Sequence, residues 1–312
     1  MLNRRSDAGR EIARDISYAA SAVSPGGKAM IRVMENATGR MRLIRQAEGY
    51  GEDVRQGRDF WSVMMERYGL TLDVVAGALD TIPRDGPLVL IANHPYGILD
   101  GLTLGHILSR TRGDFRILAH RVFRNAEDLN RIILPISFED TKEALAQNIA
   151  TRKTALDYLA QGGAIGIFPG GTVSTAATPF ARPMDPAWRS FTARMIVKSD
   201  ATVVPVFFDG QNSRLFQIMS HLHYTLRMGL LIKEFRARTN SRVRVVIGDP
   251  IPRAALEPYA KDAKAMMAFL RKTTYALNPR PLDPDLRGFE FEERHRGEGD
   301  TARLRGRLKE RY

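Results

Sequence analysis

The sequence predicts an α/β protein, with a mixed, largely parallel sheet covered by helices and an N-terminal helical extension. Two observations carry this. From Thr71 onward, short apolar runs alternate with longer segments of helical period. Before Thr71, apolar residues recur at helical spacing only. The chain has 312 residues, 44% of them hydrophobic, which suffices for one sizeable core plus an extension. The expected division is a helical region over 1–70, an α/β domain over 71–288 and a charged, solvated tail over 289–312.

In chain order, Asp7 to Val23 reads as a helix ending before Ser24-Pro25-Gly26-Gly27. Lys28 to Gln46 reads as a second, with Met30, Ile31, Val33, Met34, Met41 and Leu43 among Arg32, Arg40, Arg42 and Arg45. Such a stripe either packs on the protein or lies on a membrane surface. A third helix is expected near Asp59 to Tyr68. Strands are then expected at Thr71–Ala76, Pro87–Ala92, Phe115–Ala119, Ala164–Phe168, Ala201–Phe208 and Val243–Gly248, and Ile132–Ile136 is another apolar run. Helices are expected at Asp100–Ser109, Thr141–Gln161, Trp188–Lys198 and Asp262–Ala276, and most of Asn212–Phe235 reads as helical.

Composition narrows the function. Without cysteine there is no disulfide, thiolate metal site or cysteine nucleophile. Met1-Leu2-Asn3-Arg4-Arg5 lacks the apolar region of a signal peptide. No apolar stretch approaches the ~20 residues of a spanning helix. The net charge of +12 suggests an acidic partner such as anionic lipid or an acidic carrier protein. Nucleic acid is not expected, because no helix-turn-helix, zinc finger or basic aromatic sheet is present. His221 and His223 lack a nearby acidic or further histidine ligand, so no metal site is expected.

Two stretches carry chemistry. Leu88 to Ala92 feeds Asn93-His94-Pro95-Tyr96-Gly97-Ile98-Leu99-Asp100-Gly101. Imidazole and carboxylate are the minimum pair for general-base catalysis. Six residues on a regular helix advance the side chain by roughly 600°, so His94 and Asp100 meet only where the backbone is irregular. Pro95 and Gly97 supply that irregularity. A plain strand-to-helix turn, with His94 as a cap, has the same pattern. The second stretch is Phe168-Pro169-Gly170-Gly171-Thr172-Val173-Ser174. Consecutive glycines after a strand let backbone amides converge on an anion, and Thr172 and Ser174 add hydroxyls. Neither a Walker A loop nor a nucleophile elbow is matched.

Together these stretches resemble the glycerolipid (lysophospholipid) acyltransferase superfamily, and within it the hemolysin-like branch. Asn93 to Gly101 is similar to its first motif, with five residues between His94 and Asp100 as in that branch. Phe168 to Ser174 is similar to the family's Phe-Pro-Glu-Gly-Thr-Arg-Ser. Thr202-Val203-Val204-Pro205-Val206 and Phe208-Asp209-Gly210-Gln211-Asn212-Ser213 resemble later elements. The resemblance covers roughly residues 70 to 255.

It implies transfer of an acyl group from acyl carrier protein or coenzyme A to a lyso-lipid hydroxyl, at the cytoplasmic membrane face, with no metal or redox cofactor. His94 is then the base and Asp100 its orienting partner. Asn93, Tyr96, Gly97, Arg121, Gly170, Gly171, Thr172 and Ser174 are the expected substrate contacts, the two turn glycines through their amides. A non-catalytic lipid-binding protein with the same fold is the alternative. Two departures matter: the family's Glu is Gly170, and its phosphate-binding Arg is Val173. Arg116, Arg121, Arg124, Arg182 and Arg214 are candidate replacements. The same departures fit an acceptor without phosphate, such as a lyso-aminolipid.

Overall fold

The computed structural model describes residues 17–22, 24–120, 127–137 and 141–290. Most of the helix expected at 7–23 and nearly all of the tail, from 291, lie outside the described residues. Helices α1 (Pro25–Thr38), α2 (Arg40–Ala47), α3 (Tyr50–Arg55) and α4 (Phe60–Arg67) come first. Then follow β1 (Thr71–Ala76), β2 (Leu88–Ala92), α5 (Ile98–Arg112), β3 (Arg116–His120), α6 (Glu127–Asn130) and β4 (Ile133–Ile136). The middle holds α7 (Lys142–Ala160), β5 (Ala164–Ile167), β6 (Thr175–Ala176), β7 (Pro183–Met184) and α8 (Phe191–Lys198). The chain continues with β8 (Thr202–Phe208), α9 (Arg214–Leu222), α10 (Tyr224–Arg236), β9 (Arg242–Ile247), α11 (Arg253–Leu256) and α12 (Ala263–Ala276).

The sheet has seven strands in the order β1-β9-β8-β2-β5-β3-β4. All neighbours are parallel except β8 and β9. The expected architecture is therefore present. Strand β2 is central, paired with β5 on one side and β8 on the other. Its side chains alternate between two buried faces. Leu88, Leu90 and Ala92 join a core with α4 and α5, while Val89 and Ile91 join one with α7, α8 and α12. Helices on both faces explain why β2 is apolar throughout. Helix starts follow local chemistry: Ser24, Asp59, Thr141, Ser213 and Asp262 each accept a hydrogen bond from an amide in the following turn.

Several expectations change. The single helix at 28–46 is two, broken at Gly39, whose φ of 129° is outside helical geometry. Its apolar stripe is divided. Ile31 and Leu43 fill the core, whereas Met30, Val33 and Met41 are exposed. Arg40 is buried rather than surface-displayed. The stretch 212–235 is also two helices, separated at His223, and α3 and the β6–β7 hairpin were not anticipated. Phe289 and Glu290, placed in the tail from sequence, pack on the domain: the Phe289 amide binds Thr175 O at 3.1 Å and Glu290 pairs with Arg189. Among the described residues, no helix is long and apolar enough to cross a membrane.

Candidate active site

The site forms where β2 and β5 end side by side. Ligand sites in parallel sheets lie at such carboxyl ends, because the chain leaves the ladder there and its polar groups turn outward. His94 follows β2, and the glycine-rich turn follows β5. The Ser174 amide binds His94 O at 2.8 Å, which joins the two stretches.

His94 Nδ1 lies 3.0 Å from Asp100 Oδ2. The local backbone explains the approach. Gly97, at φ 90°, caps α5, and Asp100 at the third helical position folds back over it. Asp100 Oδ2 accepts from the amides of Tyr96 at 2.7 Å and Gly97 at 3.0 Å. The same oxygen therefore ends the turn and faces the imidazole. The Nδ1–Oδ2 pair is close but not linear enough for a full hydrogen bond, and Oδ1 has no partner. Such bonds commonly tighten when substrate binds. Asp100 is completely buried, and burial pushes its carboxyl above the usual range, against the pull of His94 and the two amides. The imidazole stacks on Phe168, with centroids 4.2 Å apart, and its side chain remains 18% exposed. It is thus held on one face and open to an incoming group.

The other expected site residues divide into braces and open contacts. Asn93 has both polar atoms bound to Phe208 of β8, at 3.1 and 2.7 Å, so it fixes the loop rather than offering a free contact. Tyr96 is buried under the Arg238 guanidinium, which sits 4.3 Å from the ring centre. Burial of Tyr96 pushes its hydroxyl up to about 12. The Gly171 amide binds Phe168 O at 3.0 Å, so it closes the turn and is not free for an anion. The Gly170 and Thr172 amides make no hydrogen bond among the described residues. Thr172 Oγ1 accepts from Arg227 at 3.2 Å, and the Ser174 hydroxyl donates to Asp185. Arg121 lies outside the described residues, as does Arg124. Arg116 sits at the opposite end of β3, paired with Asp114, and Arg214 binds Ala181 O. Arg116 is therefore not placed to replace the arginine that Val173 lacks.

Two residues escaped the sequence reading. Asp185, just after β7, is fully buried. It accepts from the His94 amide at 3.2 Å, from the Ser174 hydroxyl and from Trp188 Nε1 at 2.9 Å. A Cβ on Gly170 would stand 3.3 Å from the Asp185 carboxylate. A carboxylate from another segment thus adjoins the position where the family motif carries its own. Arg227 of α10 is 1% exposed and reaches the turn from below, bonding Thr175 and Ser220 hydroxyls and Val173 O. A signal existed for it: Arg227 shares a helical face with Leu230, Leu231 and Glu234, all buried.

A central strand thus leads into a paired histidine and carboxylate, beside the glycine-rich turn that follows the neighbouring strand β5. A family model described as Acyltransferase matches residues 54–283, and the chain belongs to that family. Two curated relatives are both lyso-glycine lipid O-acyltransferases. That of Phocaeicola vulgatus is 24% identical over 228 residues, covering 71% of this chain and 78% of the relative. That of Bacteroides thetaiotaomicron is 25% identical over 210 residues, covering 63% and 71%. Among solved structures, the 1-acyl-sn-glycerophosphate acyltransferase PlsC of Thermotoga maritima matches with 17% identity and a TM-score of 0.44, over 75% of this chain and 90% of that one.

Proposed function

We propose that this acyltransferase moves a fatty acyl group from an acyl thioester, of acyl carrier protein or coenzyme A, to the hydroxyl of a lyso-lipid. The 3.0 Å approach of Asp100 to an accessible His94 supports this reading most directly. His94 Nε2 takes the acceptor's hydroxyl proton as the oxygen attacks the thioester carbonyl. The C–S bond breaks, and the proton returns to the departing thiolate. Asp100 holds Nδ1–H and stabilises the imidazolium between these steps. The Gly170 and Thr172 amides are the donors available to the oxyanion. The sequence takes one proton and one thioester and needs no metal or redox group.

The acceptor proposed is a lyso-lipid with an amino-acid head group rather than a phosphate. The replacement of the motif's Arg by Val173, whose side chain is buried, supports it, as does the activity named for the two relatives. Such an acceptor partitions into bilayers, so the enzyme docks peripherally at the cytoplasmic face. Exposed Met30, Val33 and Met41 beside exposed Arg32, Arg42 and Arg45 suit an anionic interface. The test offers purified protein both thioester types against a panel of lyso-lipids, with His94→Ala as control. The expected loss in His94→Ala is ~10²–10⁴-fold at unchanged folding. Transfer within a few-fold of wild type by the folded variant would remove His94 from the chemistry.

A further inference from the structure

Beside the His94 loop lies a small, open recess. Asn93, Ser174, Arg182, Gln211, Asn278 and Arg280 line it. It therefore borders the residue before His94 and the end of the glycine-rich turn. The two wall residues from the motifs are already engaged, Asn93 with β8 and Ser174 with Asp185. What remains open in the recess is donor character. Arg182 makes no ion pair or hydrogen bond among the described residues. Asn278 Nδ2 is buried without a partner, while its Oδ1 accepts the Arg280 amide at 3.0 Å.

The charges agree. Buried Asp209 sits between Arg244, at 3.1 Å, and Arg280. One carboxylate facing two guanidiniums leaves a positive charge, to which Arg182 adds a second. Asp185, behind Ser174, is offset by Arg271, which bonds its carbonyl at 2.9 Å. An orphaned buried amide N–H is costly to leave without a partner, and an anion that meets it also faces the Arg182 guanidinium.

We infer that this recess binds the anionic end of the acceptor's head group, with the reacting hydroxyl at His94. The inference rests on the acyl-transfer reading and deepens it. Arg182, Asn278 and Arg280 then replace, from the β7 side, the charge missing at Val173. A carboxylate head group and a phosphate ester share the required chemistry, and the experiment separates them.

Full-length His94→Ala protein is titrated calorimetrically with three short-chain, soluble acceptors: a hydroxyacyl amide of glycine, its methyl ester, and a lysophosphatidate. The free acid is expected to bind at least ~10-fold more tightly than the ester, because only the acid carries the charge. Adding Arg182→Gln should weaken the acid ~10–100-fold, the range of one charge-assisted hydrogen bond, and leave the ester unchanged. Arg182→Lys should retain part of the difference. Equal binding of acid and ester, or equal weakening of both by Arg182→Gln, would overturn the inference. Tighter binding of the lysophosphatidate, lost in Arg182→Gln, would support the recess and overturn the amino-acid head group proposed above. Selective anion binding by a wild-type protein that acylates no lyso-lipid would support the recess and overturn the proposed reaction.

Discussion

Replacing Asp100 by Asn separates the charge of the proposed dyad from its geometry. Asp100 Oδ2 accepts both turn amides and faces His94, while Oδ1 has no partner. An asparagine must place its oxygen at the Oδ2 position, because two N–H groups converge there. Its NH₂ then points into the unpartnered Oδ1 position. The imidazole keeps an acceptor on Nδ1 and hence its tautomer, and loses only the negative charge. Exchanging a charge-assisted bond for a neutral one costs at least about 1 kcal/mol. Coulomb's law at 3.0 Å and an effective dielectric of ~20 sets a ceiling of about 5.5 kcal/mol for an imidazolium, or about four decades in rate. The expected result is a fall in kcat between about fivefold and ~10⁴-fold, with KM little changed.

Stability supplies the control. Burial raises the Asp100 carboxyl above its unfolded value. Its contribution is therefore fully present below the unfolded pKa, about 3.9, and is lost as pH rises through the folded value. Asparagine lacks this dependence. The Tm of Asp100→Asn relative to wild type should rise as pH increases from about 4. Thermal melts across pH, with steady-state kinetics at pH 7, measure both effects. A folded variant with kcat within about twofold of wild type would refute a catalytic charge at Asp100, and a Tm difference that falls with pH would refute the buried-charge argument.

Two further outcomes follow from the geometry. Gly170→Glu, which restores the residue of the family motif, should lower both stability and turnover, because its Cβ would stand 3.3 Å from the Asp185 carboxylate. Thermal melts and steady-state kinetics check both, and a folded Gly170→Glu variant with unchanged or raised Tm would refute the close contact. For docking, Glu at Arg32, Arg42 and Arg45 should weaken binding to anionic vesicles by at least ~100-fold, at about 1 kcal/mol per charge. Serine at Met30 and Val33 should instead remove the binding that survives high salt, since apolar insertion is little screened. Co-sedimentation measures both, and unchanged binding by folded variants would take α1 and α2 off the docking surface.

The sequence alone determined what depends on near neighbours. Short apolar runs placed the strands, and apolar residues at helical spacing placed most of the helices. His94 and Asp100 were legible together because their approach is local: six residues, a proline, a glycine at positive φ and two amides suffice to build it. Where a break depends on one residue's torsion, as at Gly39 or His223, periodicity ran through it, because the apolar pattern continues on both sides. Tertiary structure decided the rest. Asp185 reaches the His94 amide across 91 positions, and Arg227 reaches Val173 across 54. No local pattern encodes such contacts. They exist because β5 and β8 flank β2, which brings the turn, the hairpin and the end of α12 to one edge of the sheet. Sheet order also decided which polar groups are consumed as braces and which stay open: Asn93 is tied to β8 because β8 is its neighbour, and Arg182 stays open because, among the described residues, the fold brings it no carboxylate.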